Sequence, residues 1–321
     1  MVVEQTCTAI LILNYNSADD TMNCIRSIEA HNTAPVKFIV VDNGSTDAAE
    51  TDRIERFFAD SGEGCLRLSD NDAPVKSLPR YTLIASPKND GYARGNNKGL
   101  RFAGEDPSIQ NILILNSDIL FTEDLIPTLL SIQQEKADCA LVTPLILSRY
   151  GRADHCCARK APTNWEVILP FLLLRRNWFH VLSNMDRHQK LLLDHPELAE
   201  QRVFPVDVPS GACMLIDKAL FREIGYFDPD TFLYYEENIL YKKLQTRSRT
   251  SYCTPLVKCT HLGAVSTQQM STVFLKQCNL ESADIYLSRY SRLTFTQRLA
   301  WKIAKKMWTV KLNSAAARQT N

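Results

Sequence analysis

Short apolar runs, each closed by a polar cluster, pattern the first half of the chain. Thr8 to Leu13 is apolar and partly β-branched, and it stops at Asn14-Tyr15-Asn16-Ser17. Val36 to Val41 repeats the pattern and stops at Asp42-Asn43-Gly44-Ser45-Thr46-Asp47. Tyr81 to Ala85 leads into Asn89-Asp90-Gly91, Asn111 to Leu115 into Asn116-Ser117-Asp118, and Cys139 to Pro144 forms a fifth run. Runs of this length without alternation read as strands buried on both faces. Between them, apolar residues return at helical spacing. Asp19 or Asp20 opens a helix to about His31 with Met22, Ile25 and Ile28 on one face. Further helices end near Ala59 and Ala103, and another runs from about Glu123 to Lys136. Ser61 to Arg80, with Gly62, Gly64, Pro74 and Pro79, reads as a loop. Strand-helix alternation predicts an α/β fold with a mostly parallel central sheet, flanked by helices and joined by right-handed crossovers.

The second half alternates less. Asp207 to Asp217 reads as strand and turn, Lys218 to Ile224 as a short helix, Asn238 to Arg247 as a helix and Ser251 to Val257 as a strand. The expected organisation is a domain over residues 1–266, made of halves 1–145 and 146–266, with a helical appendage over 267–321. A length of 321 residues accommodates this.

Composition is that of a globular chain, at 45% hydrophobic and 23% charged. The longest apolar run, Val167 to Leu174, is interrupted by Pro170 and is far short of the ~20 residues of a membrane span. Met1-Val2-Val3-Glu4-Gln5 lacks the basic and apolar regions of a signal peptide. The ten cysteines show no paired spacing and read as free thiols of a reducing compartment. His155, Cys156, Cys157, Cys253, Cys259 and His261 include no C-x-x-C knuckle, which argues against structural zinc. Net charge is near zero, but its distribution is uneven. Eight basic and no acidic residues lie between Ile285 and Asn321, leaving a balance of −7 on residues 1–284.

In open α/β sheets, ligands bind beyond the carboxyl ends of the strands, and that is where the polar clusters fall. Asp42 can accept a hydrogen bond from a pyrimidine imide, and Tyr15 can cover the base. The three glycines between Asn89 and Gly99 allow close backbone approach. Their helix N-terminus, with Arg94, suits a phosphate. Asp118 offers a hard oxygen to a divalent metal. Singly, each cluster is also an ordinary turn or helix cap; their joint placement favours a ligand site.

The motifs resemble those of family 2 glycosyltransferases with the GT-A fold, most closely the rhamnosyltransferase-like branch. The resemblance rests on Ile39-Val40-Val41-Asp42-Asn43-Gly44-Ser45-Thr46-Asp47, on Asn89-x-Gly91-Tyr92-Ala93-x-Gly95-Asn96-Asn97-x-Gly99 and on Leu115-Asn116-Ser117-Asp118. It continues through Pro209-Ser210-Gly211-Ala212, Gly225-Tyr226-Phe227-Asp228, Phe232-Leu233-Tyr234-Tyr235-Glu236-Glu237 and His261-Leu262-Gly263-Ala264-Val265-Ser266. It implies a nucleotide-diphosphate sugar donor, with dTDP-rhamnose favoured over UDP-hexoses or UDP-N-acetyl sugars. It also implies Mg²⁺ or Mn²⁺ on Asp118, and His261 on that metal or on the diphosphate. Asn14, Tyr15, Asn16, Asp42, Asn43, Gly44, Asn89, Gly91, Arg94, Asn97, Ser117 and Gly211 become the donor-site candidates. Glu237, beside Glu236, matches the general base of an inverting single displacement. Two departures stand out: Asn116 replaces the first acid of the metal motif, and Glu236-Glu237-Asn238-Ile239 lacks the usual third acid.

At ~100° per residue, Phe295, Leu299, Ile303, Met307 and Val310 share a face that Ala300, Trp301, Ala304 and Trp308 extend, with Arg298, Lys302, Lys305 and Lys306 opposite. This is the pattern of an interfacial helix on an anionic membrane, and the apolar face argues against nucleic acid. The alternative is a helix packed on the domain with solvated lysines. Trp165 to Leu182, including Phe171-Leu172-Leu173-Leu174-Arg175-Arg176, reads as a membrane-dipping segment bounding a lipid-acceptor site, or as a buried helix or homodimer contact. The expectation is thus a glycosyltransferase of cell-surface polysaccharide assembly (O-antigen or capsule), acting on a lipid-linked glycan at the inner face of the membrane. A nucleotidyltransferase would want a Gly-rich basic loop that Asn14-Tyr15-Asn16-Ser17 does not provide. A non-catalytic scaffold is favoured only by the altered acidic string.

Overall fold

A computed structural model of the chain describes residues 6–173, 190–263 and 270–317. The expectations placed on Met1–Gln5, Arg175, Arg176, Val265, Ser266, Arg318 and the 266/267 boundary lie outside the described residues.

The first half follows the predicted alternation: β1 (Cys7–Asn14), α1 (Ala18–His31), β2 (Val36–Asp42), α2 (Ala48–Ala59), β3 (Leu66–Ser69), β4 (Tyr81–Ala85), α3 (Gly91–Glu105) and β5 (Ile109–Asn116). Then come β6 (Ile119–Phe121), α4 (Ile126–Glu135), β7 (Cys139–Ser148), β8 (Ala158–Arg159), α5 (Asn164–Leu172) and a short α6 (Leu191–Asp194). The remainder is β9 (Phe204–Val206), β10 (Val208–Pro209), β11 (Cys213–Asp217), α7 (Lys218–Glu223), α8 (Glu236–Gln245), β12 (Thr250–His261), α9 (Thr272–Arg289) and α10 (Phe295–Ala317).

One sheet runs in the order β3-β4-β2-β1-β5-β11-β7-β12-β6, with β9 on β12. Its first five strands are all parallel, β11 is antiparallel to both neighbours, and β12 is parallel to β7. Both faces are covered, which explains the unbroken apolar runs. On β1, Ile10 and Ile12 meet Met22, Ile25 and Ile28 of α1, Phe58 of α2 and Leu129 of α4. Ala9 and Leu11 point the other way, to Leu100 and Phe102 of α3, Phe221 of α7 and Leu240 of α8. A third core joins α5, α9 and α10 to Ile239 of α8.

Several boundaries differ from the sequence expectation. β3 lies inside the predicted loop: Leu66 and Leu68 alternate with Arg67 and Ser69, as suits a half-buried edge strand. β12 runs on to His261 because a register shift between Thr254 and Lys258 accommodates Pro255. α8 begins at Glu236, so both glutamates stand in its first turn.

The C-terminal helix corrects the expected face. Its tryptophans turn inward, not toward a membrane. Trp301 is buried and donates to Asp284 (2.7 Å), and Trp308 donates to the Phe171 carbonyl (2.7 Å). Both rings meet Phe171 edge-on. The outer stripe is Phe295, Leu299, Ile303, Met307 and Val310, at 81, 51, 48, 37 and 60% exposure. The helix therefore packs by one apolar arc and exposes another. Val167, Ile168 and Phe171 of α5 are buried in the same core, so the described part of the Trp165–Leu182 segment is a packed helix. Among the described residues no helix is long and apolar enough to cross a membrane.

Candidate functional site

β4, β2, β1 and β5 are adjacent and parallel, so their polar ends open on one edge of the sheet. A cavity of about 330 Å³ lies there. Tyr15 comes to it from β1, Asn43 from β2, Asn89, Gly91 and Tyr92 from the start of α3, and Asn116, Ser117 and Asp118 from β5. Phe232, Leu233, Met270 and His261 close the far side. A larger cavity of about 440 Å³ opens at the opposite strand ends, beside Lys37, Arg80 and Ser108. Its cations are paired with protein carboxylates, Lys37 with Asp106 at 2.8 Å and Arg80 with Glu29 at 3.6 Å. Of these two cavities, the strand-end one is lined by the polar residues that the sequence singles out.

The predicted residues divide into lining and framework. Asp42 is buried and does not line the cavity. It accepts from Asn14 (3.0 Å), Ser45 (2.5 Å) and Thr51. Asn14 in turn accepts from Ser17 and Thr21, so the pair ties the β1 and β2 ends together. Asn16 accepts from the Thr46 amide (2.8 Å), and Gly44 lies against the Lys88–Asn89 backbone. Asn43 donates to Asn89 (2.9 Å) and to the Gly91 carbonyl (3.1 Å), holding the α3 entry beside the β2 end. Ser117 meets Ser17 at 3.1 Å. Arg94 and Asn97 are turned elsewhere. Arg94 donates to the Pro229 carbonyl and pairs with Asp230 at 3.5 Å, and Asn97 clasps the Phe227 backbone. Gly91 sits at φ 81°, where a Cβ would meet the Phe232 carbonyl oxygen at 2.2 Å; the amide of Tyr92 donates to that same oxygen (2.7 Å).

Asp118 and His261 form the charged corner. Asp118 Oδ1 lies 3.3 Å from His261 Nε2, and Oδ2 accepts from the Gly263 amide (2.8 Å). Asp154, which the sequence did not flag, stands 3.9 Å from the other ring nitrogen. Burial disfavours the imidazolium, but the two carboxylates hold its pKa up at about 9. Burial likewise works against the Asp118 charge, and the hydrogen bonds from His261 and Gly263 outweigh it, keeping the carboxyl below its usual range. Among the described residues no group of three His, Cys, Asp or Glu gathers for a metal.

Glu236 and Glu237 follow Tyr234 and Tyr235, two consecutive left-handed residues at φ 76° and 65°. Such backbone is strained and persists only where surrounding structure enforces it. Glu237 Oε1 accepts from the Gly211 amide (3.0 Å), and the Gly211 carbonyl accepts from Tyr92 of the cavity wall (2.8 Å). A Cβ on Gly211 would fall 2.8 Å from Glu237 Oε1. The second Glu237 oxygen lies 3.7 Å from Arg159. Burial and the adjacent Glu237 push the Glu236 carboxyl up to about 8. Burial, Glu237 and Glu236 also raise the Tyr92 phenol well above its ordinary value. Tyr92 lay inside a quoted motif without an assigned role. Arg159 had no local signal, because it meets Glu237 only across the β8–β10 pairing.

The sequence profile of glycosyl transferase family 2 matches residues 9–225. The chain belongs to this family. Among its relatives is the low-salt glycan biosynthesis hexosyltransferase Agl10 of Haloferax volcanii, 27% identical over 229 residues, which are 71% of this chain and 58% of the relative. This chain therefore spans less than two thirds of that protein. The N-acetylglucosaminyl-diphospho-decaprenol L-rhamnosyltransferase of Mycobacterium tuberculosis is 23% identical over 266 residues, covering 80% of this chain and 76% of the relative. Both fit the rhamnosyltransferase-like branch of the family. Among solved structures, GalNAc-T7 with UDP, GalNAc and Mn²⁺ superposes with a TM-score of 0.59 over 89% of this chain and 48% of that one, at 11% identity. That likeness bears on the fold, which is GT-A: a mostly parallel central sheet flanked by helices, with C-terminal helices added.

Proposed function

We propose that this family 2 member transfers a sugar, with inversion, from a nucleotide diphosphate to a hydroxyl of a lipid-linked glycan. The observation carrying this reading is the cavity at four adjacent parallel strand ends, whose Tyr92 wall leads through Gly211 to Glu237. A base opposite the leaving group gives a single displacement. With Oε1 held by Gly211, Oε2 of Glu237 is the oxygen left for the acceptor proton. Tyr15 and Asn43 line the part of the cavity suited to the nucleoside, while Asn14, Asp42 and Asn97 hold the frame. The name of the Mycobacterium relative, a rhamnosyltransferase of a diphospho-decaprenol, supports rhamnose as the sugar and a diphosphate-linked lipid as the acceptor; dTDP as its carrier and the inner face of the membrane as its place are part of the proposal. A UDP-hexose is the competing donor.

Asp118 and His261 would hold Mg²⁺ or Mn²⁺, the ion taking the place of the proton that Asp118 and Asp154 keep on the imidazole, because histidine ligates only as the neutral ring. Their facing donor atoms lie 3.3 Å apart, close to the ~3 Å expected of neighbouring ligands at ~2.1 Å from one ion. Such ions take one or two protein ligands and complete their shell with substrate phosphates and water, in keeping with a pair rather than a cluster here. When bound, the ion supplies charge neutralisation for the departing diphosphate. The exposed apolar stripe of α10, flanked by Arg298, Lys302 and Lys306, supports attachment to an anionic membrane surface.

The test is acceptor-dependent release of nucleotide diphosphate from a panel of dTDP-, UDP- and GDP-sugars with and without Mn²⁺. Glu237→Gln should abolish release while nucleotide-sugar binding stays within about twofold. Normal turnover in that variant sinks the base assignment, and no release from any donor favours a scaffold role.

A further inference from the structure

Arg159 is a charged group of this region that the donor site and the metal pair leave without a use. It lies on β8, held by antiparallel pairing of Arg159 with Val208 and of Ala158 with Pro209. Just beyond that pairing, the Ser210 amide donates to the Cys157 carbonyl (3.3 Å), so β8 is fixed against the segment that carries Gly211. The guanidinium is thereby brought to Glu237, with Nη2 3.7 Å from Oε2. This is close enough for attraction and too long for a hydrogen bond. Nε of the same edge is buried and has no hydrogen-bond partner among the described residues.

An orphaned donor on a permanently charged group is rare and calls for an acceptor. Glu237 does not supply it: Oε1 is engaged by Gly211, and Oε2 stands beyond bonding distance. A guanidinium serving only to neutralise Glu237 would close on it in a two-pronged pair. Instead the guanidinium stays off Glu237 on a side chain 24% exposed, and with Nε buried the part left to a ligand is the Nη1–Nη2 end, which can take two oxygens of one anion. Its place beside Glu237 points to the occupant. The acceptor hydroxyl must meet Glu237, so a cation beside Glu237 faces the acceptor. The donor diphosphate has its own charged corner at Asp118 and His261, on the wall formed by the β5 and β12 ends.

We infer that Arg159 docks the diphosphate of the acceptor, one sugar ring away from the hydroxyl that Glu237 deprotonates. The inference rests on reading Glu237 as the base. It gives the enzyme a means to select a glycosyl diphosphate over a neutral glycoside.

Equilibrium binding tests this on the full chain, in EDTA and without donor. The probes are N-acetylglucosamine linked by diphosphate to a short prenyl chain, and octyl N-acetylglucosaminide. Wild type should bind the diphosphate compound at least tenfold more tightly. Arg159→Met should reduce that ratio at least tenfold, and Arg159→Lys, which keeps the charge without the fork, should retain part of it. Melting temperatures are read for each variant, and Arg159→Lys carries the test if Arg159→Met does not fold. A wild type without preference, a variant that keeps the full ratio, or an equal loss for both probes overturns the inference. Turnover of Glu237→Gln is read separately. Normal turnover there, with the ratio lost in Arg159→Met, refutes the base and leaves the anion site standing.

Discussion

Glu236→Gln should stabilise the protein, and only on the alkaline side. Glu236 is 4% exposed, and its Oε1 has no hydrogen-bond partner among the described residues. Burial, and then the neighbouring Glu237, move its pKa from 4.5 to about 8. In the unfolded chain the carboxyl loses its proton near the ordinary value. Between the two values the folded chain holds more protons than the unfolded one, so stability falls as pH rises. Below the unfolded pKa there is no penalty; above the folded pKa it is complete. At about 1.4 kcal/mol for each pH unit between the two values, the upper bound is roughly 5 kcal/mol. Relaxation and water entry reduce such figures, and a gain of about 2 kcal/mol at pH 8.5 is the working expectation. For a chain of 321 residues that is about 3 °C in Tm. Calorimetry of both proteins between about pH 4.5 and 8.5 at fixed ionic strength isolates the effect, because contributions shared by the two proteins cancel. The difference should be near zero at the acid end and grow through neutrality. A difference that is constant with pH, or that grows toward acid, refutes the buried neutral carboxyl.

Other substitutions probe the same architecture. Gly211→Ala places a Cβ 2.8 Å from Glu237 Oε1 and 2.9 Å from the Tyr92 hydroxyl. Both are ends of side chains, so the fold should tolerate it, while a displaced base should lower kcat tenfold or more with little change in donor binding. Gly91→Ala meets backbone at 2.2 Å from a left-handed position. It should lose about 2 kcal/mol or more of stability by denaturant titration. Leu299→Ser, Ile303→Ser and Val310→Ser together remove the outer stripe without touching Trp301 or Trp308. Flotation with anionic vesicles should fall at least tenfold with Tm unchanged, and undiminished flotation would exclude the stripe as the membrane contact. Truncation before Phe295 would be a poorer experiment, since it strips the third core.

The chain order of the first half was readable because parallel strands covered on both faces leave unbroken apolar runs with polar ends. Position was legible there, but direction was not. Asp42, Asn14 and Tyr15 all sit at strand ends, yet only Tyr15 turns to the cavity, and which side chain does so depends on the local turn. Arg94 shows the same limit: its partners Pro229 and Asp230 lie 135 and 136 residues on. β8 and β10 have two residues each, too few for any period to register. In α10 the helical period gave one broad apolar face without saying that it divides into a core arc and an exposed arc. The Trp301–Asp284 and Trp308–Phe171 hydrogen bonds decide it, and both partners belong to other elements.

That decision ties the membrane reading to the chemistry. Trp301 and Ala304 of α10 share a core with Phe171 of α5 and Ile239 of α8. Ile239 lies two residues past Glu237 on the same helix. The face opposite the core on α10 is the exposed stripe, so a surface holding the stripe also holds the helix that carries Glu237, the proposed base. Packed interiors are too dense to let one helix turn without its neighbours. An α10 lying on a bilayer would therefore fix the orientation of Glu237 relative to that bilayer. For a soluble acceptor this orientation would be without consequence. For an acceptor whose lipid keeps it at the surface, a fixed base removes part of the orientational search that precedes reaction. The inward tryptophans are thus compatible with membrane attachment: they brace the helix whose other side makes the contact.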